Sequence, residues 1–227
     1  MSSLADLTWP QAADVSASVL VVPLGSTEQH GPHLPLSTDT DVAEALALGL
    51  ASRRPAVVVA PALPYGASGE HAGFPGTVSI GHEALEVLVV ELVRSATETF
   101  AHVLLLNGHG GNSSTLTTAC ARLRDEGRDV LVWSPPWRGD AHAGRTETSV
   151  LLALDPARVG AAREAGAVGS LTELWPALRR GGLRAVTANG VLGDPTGASS
   201  LEGEQLLREA LDDLEAAVDA WLRREPA

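Results

Sequence analysis

The sequence lacks lysine and has very little cysteine. All sixteen basic residues among its 227 residues are arginines, and 28 acidic residues give a formal net charge of −12. An acidic chain repels a phosphate backbone, so we expect no nucleic acid as a partner. The one cysteine, Cys120, excludes a disulfide within the chain and is typical of a protein from the reducing cytoplasm.

Long hydrophobic runs are also missing. No apolar stretch approaches the roughly 20 residues that a membrane-spanning helix needs, so we expect no membrane partner. The N-terminal segment MSSLADLTWPQ has neither a basic region nor an apolar core, which argues against a signal peptide. With 44% hydrophobic residues and no repeat, residues 1–227 are expected to form one domain.

Four short apolar runs predict β-strands. Continuous rather than alternating hydrophobicity is typical of strands buried on both faces, as in a parallel sheet. Amphipathic stretches alternate with these runs, which predicts an α/β fold with a doubly wound, mostly parallel sheet and helices on both faces. The predicted strands are Val19–Leu24, Val57–Pro61, His102–Leu106 and Asp129–Trp133, and the predicted helices are Asp41–Arg53, His82–Phe100, Asn112–Glu126 and Leu201–Arg224.

A loop rich in glycine, histidine and carboxylates follows each predicted strand. Ligands of doubly wound sheets lie beyond the carboxyl ends of the strands, so these loops should meet at one edge. Imidazole and carboxylate groups are the usual ligands of zinc, iron and manganese at catalytic sites. The candidate residues of this type are Glu28, His30, Asp39, His109, His142 and Glu147.

Each of these motifs has a structural alternative when it is taken alone. EQH at residues 28–30 is compatible with a solvated loop. NGHGGN at residues 107–112 is compatible with an anion site built from backbone N–H groups at a helix start. HAGRTE is compatible with an ordinary helix start, in which Thr146 caps the helix and Glu147 complements its dipole. Their common position at one predicted edge favours a metal centre.

Taken together, the loops resemble the creatininase family of amidohydrolases. The resemblance runs in order through GSTEQHGPHLPLSTD, YGASGEHAGFPGT, NGHGGN, HAGRTETS and GVLGDPTGAS, and covers most of the chain. It implies an α/β fold, two divalent metal ions per subunit (zinc, iron or manganese) and a homo-oligomer.

The resemblance also implies roles for individual residues. Glu28 and His30 would each bind one metal ion. Asp39 would bridge the two ions, and His109 would complete the first site. His142 would be the catalytic residue that transfers a proton to the leaving nitrogen.

One position departs from the family pattern. Creatininase carries an acidic ligand two residues after the histidine of NGH, where this chain has Gly111. Creatinine is therefore not the expected substrate, and the second ion needs another carboxylate. Glu147 is the nearest candidate, and Asp41 is a weaker one because it is better placed to start the predicted helix.

A branch of the family gives the expected substrate. Overall length, the NGHGGN and HAGRTETS loops, and the alanine- and arginine-rich composition resemble members that cleave a short modified precursor peptide. This implies hydrolysis before a modified C-terminal Val-Tyr dipeptide. Two alternatives stay open, a small-molecule amidohydrolase acting on a cyclic amide or formamide and a non-catalytic metal-binding scaffold. The candidate substrate-binding residues are Glu70, His71, Trp137 and Trp175.

Four further features have structural interpretations. Trp133 lies inside a predicted strand, which favours a place in the core over a place in the pocket. Cys120 lies in the middle of a predicted helix and is expected to be a packed small side chain rather than a nucleophile. His33 is expected to support the EQH loop. The segment Asp155–Ala188 is compatible with a lid or an interface.

Overall fold

One parallel sheet organises residues 2–224, which are the residues that the structure, a computed structural model, describes. The strand order is β1-β3-β2-β4-β5, and every neighbouring pair is parallel. The strands are β1 (Ser2–Ser3), β2 (Val19–Leu24), β3 (Val57–Val59), β4 (His102–Asn107) and β5 (Val130–Trp133). Met1 and residues 225–227 of the predicted single domain lie outside the described residues, and the single domain stays a prediction.

Helices cover both faces of this sheet. They are α1 (Trp9–Asp14), α2 (Thr38–Arg53), α3 (Gly81–Ala96), α4 (Ser113–Asp125), α5 (Arg145–Leu154), α6 (Leu171–Gly181) and α7 (Ser200–Leu222). One core contains α2, α5 and α7, and the other contains α3 and α4. The predicted doubly wound α/β fold is confirmed. No helix within residues 2–224 is long and apolar enough to cross a membrane.

The continuous hydrophobicity of the central strands follows from these two cores. Alternate side chains of β2 point to opposite faces, so Val19 and Val21 lie in the first core while Leu20 and Val22 lie in the second. All six residues of β2 are therefore buried.

Several element bounds differ from those predicted. Helix α2 begins at Thr38, three residues earlier than predicted, so Asp39 lies in its first turn. Strand β3 ends at Val59, two residues before the proline that was predicted to close it. Helix α3 ends at Ala96 instead of Phe100. Strand β1, α1 and α6 were not predicted, and α5 was considered only as an alternative for HAGRTE.

The strand order creates a crevice at the carboxyl ends of β2 and β4. From β2 the chain passes to β3 on one side, and from β4 it passes to β5 on the other. The loops after these two central strands therefore diverge and leave space between them, which is where doubly wound sheets bind ligands. Glu28 and His30 follow β2, and His109 follows β4.

Candidate metal centre

Three segments at this edge bring four ligand-type side chains together. Glu28 and His30 come from the loop after β2, Asp39 from α2, and His109 from the turn after β4. All four are buried, with at most 4% of any residue exposed. Asp39 Oδ1 lies 3.0 Å from His30 Nε2, and Asp39 Oδ2 lies 3.0 Å from His109 Nδ1. Asp39 therefore stands between two imidazoles, one on each carboxylate oxygen.

The ligand atoms fall into sets that share residues. Within a set, one atom from each residue lies within 4.8 Å of the others. Asp39 belongs to two sets, so its two carboxylate oxygens can face two ions. The sets are Glu28, Asp39 and His109; His30, Asp39 and Glu147; and Glu28, His30 and His142.

Two buried carboxylate oxygens are left without hydrogen bonds. Glu28 Oε1 and Asp39 Oδ2 have no hydrogen-bond partner among residues 2–224. A buried polar atom without a hydrogen bond costs roughly 1–3 kcal/mol, and more when its group is charged, so a cation is expected beside these two oxygens. Imidazole nitrogens and carboxylate oxygens are ligands that zinc, iron and manganese accept. The residues present therefore fit divalent metal ions.

Without metal, protons on the imidazoles balance these carboxylates. Burial disfavours a charged His30, but the nearby Asp39 and Glu147 raise its pKa to about 10. Burial opposes the charge of His109 too, yet the carboxylates of Asp39 and Glu28, 3.0 and 3.2 Å from its Nδ1, raise its pKa well above the usual value. Burial and the charge of Asp39 raise the pKa of Glu28. Metal ions would displace protons from these groups, so binding should release protons.

Glu147 reaches this cluster and Asp41 does not. Glu147 lies in the first turn of α5, where its Oε2 accepts a hydrogen bond from the Ala143 N–H (2.6 Å) and lies 3.8 Å from His30 Nε2. Burial raises the pKa of Glu147 to about 7. Asp41 instead pairs with Arg158 Nη1 at 2.8 Å. Of the two candidates for the missing carboxylate, the structure thus places only Glu147 beside the other ligands.

His142 faces the cluster through one ring nitrogen. Its backbone pairs with Leu192 of the GVLGDP segment, which holds the loop before α5. His142 Nε2 lies 2.8 Å from the backbone oxygen of Gln29, and Nδ1 lies 3.8 Å from Glu28 Oε1. Burial, together with the charge of His30, lowers the pKa of His142 well below its usual value. A neutral imidazole with one nitrogen facing the site is suited to proton transfer.

The loop between β3 and α3 supplies His71 and Glu70. His71 is buried, with Nε2 3.1 Å from Glu28 Oε1, and burial lowers its pKa to about 3. The Glu70 side chain is 34% exposed, and its Oε1 lies 3.6 Å from His109 Nε2. A Cβ at Gly111 would collide with both Glu70 Oε1 and His109 Nε2. The glycine that replaces the acidic family residue therefore leaves space that Glu70 occupies.

Two adjoining cavities open onto the cluster. The first, of about 610 Å³, is lined by Trp175 and Arg179 of α6. The second, of about 780 Å³, is lined by Trp137. His109 and Glu147 line both cavities, so the cluster lies where they meet. The two tryptophans proposed to bind substrate thus belong to separate cavities.

Three further residues considered in the sequence support the fold instead of lining the cluster. His33 Nε2 lies 2.8 Å from Thr148 Oγ1, which ties the EQH loop to α5. Trp133 belongs to the first core and donates a hydrogen bond from Nε1 to Asp213 at 2.8 Å. Cys120 is buried in α4, in the second core.

Sequence reasoning missed the roles of two regions. Gln29 lies between His71 and His142, and its place in the middle of EQH was the available signal. Helix α6 forms a wall of the first cavity, and it lies in the segment Asp155–Ala188 that was compatible with a lid or an interface. The sequence SLTE at residues 170–173 is typical of a capping box and could have predicted the start of this helix. In the structure, Ser170 and Glu173 form that box by reciprocal hydrogen bonds.

Comparisons with known proteins identify the family of this chain. Residues 5–218 match the family model described as creatininase, creatinine amidohydrolase. A mycofactocin precursor peptide peptidase from Mycobacterium ulcerans is 48% identical over 97% of this chain and 89% of its own length. A mutant creatininase of the "Zn-Zn type" and a "Creatininase Mn" superpose with TM-scores of 0.83 and 0.82, at 26% and 25% identity. Both alignments cover 99% of this chain and 100% of the solved one.

These findings confirm the resemblance that the loop motifs gave. They also confirm the branch, which the length and the NGHGGN and HAGRTETS loops indicated, since the Mycobacterium ulcerans relative belongs to the mycofactocin system. The solved creatininases are zinc or manganese proteins by their descriptions. The family match over residues 5–218 shows that this chain belongs to the creatininase family of metal-dependent amidohydrolases.

Proposed function

We propose that the protein is a metal-dependent peptidase that hydrolyses the peptide bond before the modified C-terminal Val-Tyr dipeptide of a mycofactocin precursor peptide. The released dipeptide would then enter cofactor maturation. The observation that carries the proposal is a buried ligand cluster at the junction of two cavities. It occurs in a chain that is 48% identical to a mycofactocin precursor peptide peptidase.

The cluster is assigned two divalent ions, zinc, iron or manganese. Glu28, Asp39 and His109 would hold the first ion. His30, Asp39 and Glu147 would hold the second, so Glu147 supplies the carboxylate that Gly111 does not. Bound there, the ions would supply an activated water of lowered pKa and polarise the scissile carbonyl.

His142 is assigned the proton transfer to the leaving nitrogen. The Gln29 carbonyl accepts from its Nε2–H, so Nδ1 is the atom that takes up and releases the proton. Its lowered pKa favours release over retention of that proton. An amide nitrogen leaves readily only when it is protonated, which a general acid at this position provides.

The two cavities give the peptide room on both sides of the scissile bond. Trp175, Leu178 and Leu183 line the first, which suits an aromatic C-terminal group. Trp137 lines the second, where the preceding residues of the peptide would lie. Glu70, at the wall of the first cavity, can accept a hydrogen bond from substrate, whereas His71 would act through its contact with Glu28.

The protein is further proposed to be a cytoplasmic homo-oligomer. Its single cysteine fits a reducing compartment. Trp9 and Val168 are 85% and 73% exposed, and such apolar side chains are candidates for contacts between copies. Light scattering after size exclusion measures the number of copies, and a monomer at micromolar concentration contradicts this assignment.

Mass spectrometry of the modified precursor peptide, incubated with metal-loaded protein, tests the proposed function. The expected products are the peptide shortened by two residues and the modified dipeptide. A chelated sample should leave the peptide intact, and creatinine should be turned over negligibly. An intact peptide beside rapid hydrolysis of a small cyclic amide would favour the small-molecule alternative instead.

A further inference from the structure

The side-chain amide of Gln29 is buried against the cluster, and two backbone groups determine its orientation. Gln29 Oε1 accepts a hydrogen bond from the Gly31 N–H at 2.9 Å. Gln29 Nε2 donates to the Gly190 carbonyl at 3.2 Å. Exchanging the two amide atoms would place oxygen against carbonyl and NH₂ against N–H. The amide nitrogen, a donor only, therefore faces the histidines.

His142 must carry its proton on Nε2. That nitrogen lies 2.8 Å from the Gln29 backbone oxygen and 3.1 Å from Gln29 Nε2. A carbonyl oxygen can only accept, so the imidazole nitrogen beside it has to donate. The same nitrogen cannot then accept from the Gln29 amide. In the neutral ring, Nδ1 is left bare on the side of Glu28.

The second amide proton of Gln29 is left for His71. Its Nδ1 lies 3.0 Å from Gln29 Nε2 and accepts the hydrogen bond. The proton of the neutral His71 ring then sits on Nε2, 3.1 Å from Glu28 Oε1. The two rings lie with centroids 4.4 Å apart and present opposite atoms to the site, an N–H from His71 and a bare nitrogen from His142.

The position of this amide depends on a second loop far along the chain. Gly190 has a φ of +80°, which favours glycine, and a Cβ there would collide with Gln29 Oε1. The Gly190 carbonyl also accepts one of the two amide protons. The space and the acceptor that orient Gln29 thus come from the same residue.

We propose that Gln29 is a positioning residue that fixes the tautomers of His71 and His142, so that one histidine offers a donor and the other an acceptor to the reacting groups. His71, with its Nε2 protonated, is then excluded as a metal ligand through that atom. The catalytic consequence rests on the proposed function, because it assumes proton transfer at His142 Nδ1. The tautomers themselves do not depend on the substrate.

Nitrogen NMR of zinc-loaded protein labelled with ¹⁵N-histidine tests the tautomers directly, because protonated and bare ring nitrogens give well separated signals. His71→Gln and His142→Gln assign the signals. In the wild-type protein, both rings should show a protonated Nε2 and a bare Nδ1. A bare Nε2 on either ring overturns the proposal, and this readout needs no variant of Gln29 to fold.

Two variants extend the test. In Gln29→Glu the carboxylate can only accept, so His71 should gain a proton on Nδ1. In Gln29→Met only the His71 ring should show mixed tautomers, because the backbone oxygen of residue 29 still accepts from His142 Nε2. In both variants, the kcat of peptide cleavage should fall by about tenfold or more, while KM changes by no more than about twofold and the zinc content is unchanged. Unchanged ¹⁵N signals in Gln29→Glu overturn the proposal.

Gln11→Glu is the matched control, because Gln11 Oε1 accepts from the Thr8 N–H and hydroxyl at the surface, which a carboxylate can also do. It should leave the histidine signals and kcat unchanged. If the wild-type tautomers are as expected but no peptide is cleaved, the positioning role stands and the proposed function fails.

Discussion

Both edges of the sheet carry a histidine beside a carboxylate, in different surroundings. At the amino edge, His102 Nδ1 lies 2.6 Å from Asp129 Oδ2, with side chains 32% and 48% exposed. The other oxygen of Asp129 accepts a hydrogen bond from Trp221 Nε1 at 2.6 Å. At the carboxyl edge, His30 and Asp39 are 3.0 Å apart with side chains 0% and 4% exposed. Here the second oxygen of Asp39 has no hydrogen-bond partner within residues 2–224.

The difference shows that a histidine–carboxylate pair is not by itself evidence of a metal centre. An exposed pair such as that of His102 contributes roughly 0.2–1 kcal/mol and leaves no anion unpaired. The pair at Asp39 is buried, and the second oxygen of Asp39 lies 3.0 Å from Nδ1 of a third candidate ligand, His109. Convergence of several loops on an unpaired buried oxygen is what distinguishes the two edges.

The largest expected effect comes from Asp39→Asn. Asp39 belongs to both of the sets that are proposed to hold an ion, so the variant should lose both ions and reduce cleavage to background. Even outer partners of metal ligands cost 10–100-fold in affinity when changed, so the loss of affinity should exceed about 100-fold. Elemental analysis after dialysis measures the metal. His102→Ala at the other edge is the control and should keep the wild-type metal content and activity.

Glu147→Gln should remove half as much metal as Asp39→Asn. Glu147 belongs to one set only, so one ion per chain should be lost while the ion at Glu28 and His109 remains. Asp41→Asn makes the same chemical change at the acid that pairs with Arg158, and it should keep both ions. The reverse result, with Asp41→Asn poor in metal and Glu147→Gln replete, would contradict the ligand assignment.

His142→Ala should separate catalysis from metal binding. The His142 ring faces the cluster through Nδ1 but is not needed for either of the two sets that share Asp39. The variant should keep its metal and lose roughly 10²-fold or more in turnover. Steady-state cleavage assays and elemental analysis of the same preparation measure both quantities. A loss of metal would make His142 a ligand instead of a proton donor.

A smaller effect is expected of pH on the stability of the metal-free protein. The pKa of His30 rises from 6.5 to about 10 in the fold, so its stabilisation is complete below pH 6.5 and is lost as the pH rises towards 10. The pKa of Glu147 rises from 4.5 to about 7, so its stabilisation is lost in the same direction, as the pH rises from 4.5 to 7.

The Tm of chelated protein should therefore fall between pH 6 and 10, while metal-loaded protein should lose less because ions replace the protons. Scanning calorimetry of both forms measures this. If the Tm of both forms falls equally with pH, the protons and the metal do not share a site.

Much of the fold could be predicted because its central strands are buried on both faces. Val19–Leu24 was predicted with its observed bounds, since six consecutive buried residues leave a clear apolar run. Strand β1 has only two residues, too few for any pattern. Helix α6 was missed because, among the side chains described, none of its residues is buried, and an exposed helix with a proline at 176 carries a weak signal.

Part of the candidate site could likewise be predicted from the sequence, and part could not. Glu28, His30 and His109 could be predicted because motif residues directly after central strands must lie at one edge. The choice of Glu147 over Asp41 needed coordinates, because both lie in the first turn of a helix and their contacts separate them: Glu147 lies near His30, whereas Asp41 pairs with Arg158. The role of Gln29 depends on Gly190, about 160 residues away in the sequence, which no local pattern reveals.

The most direct test of the central claim is a crystal structure of zinc-loaded protein with anomalous scattering measured at the zinc edge. Two peaks are expected, one within bonding distance of Glu28, Asp39 and His109, and one within bonding distance of His30, Asp39 and Glu147. The region around His102 and Asp129 should show no peak. A single peak, or peaks held by other residues, would contradict the two-metal centre.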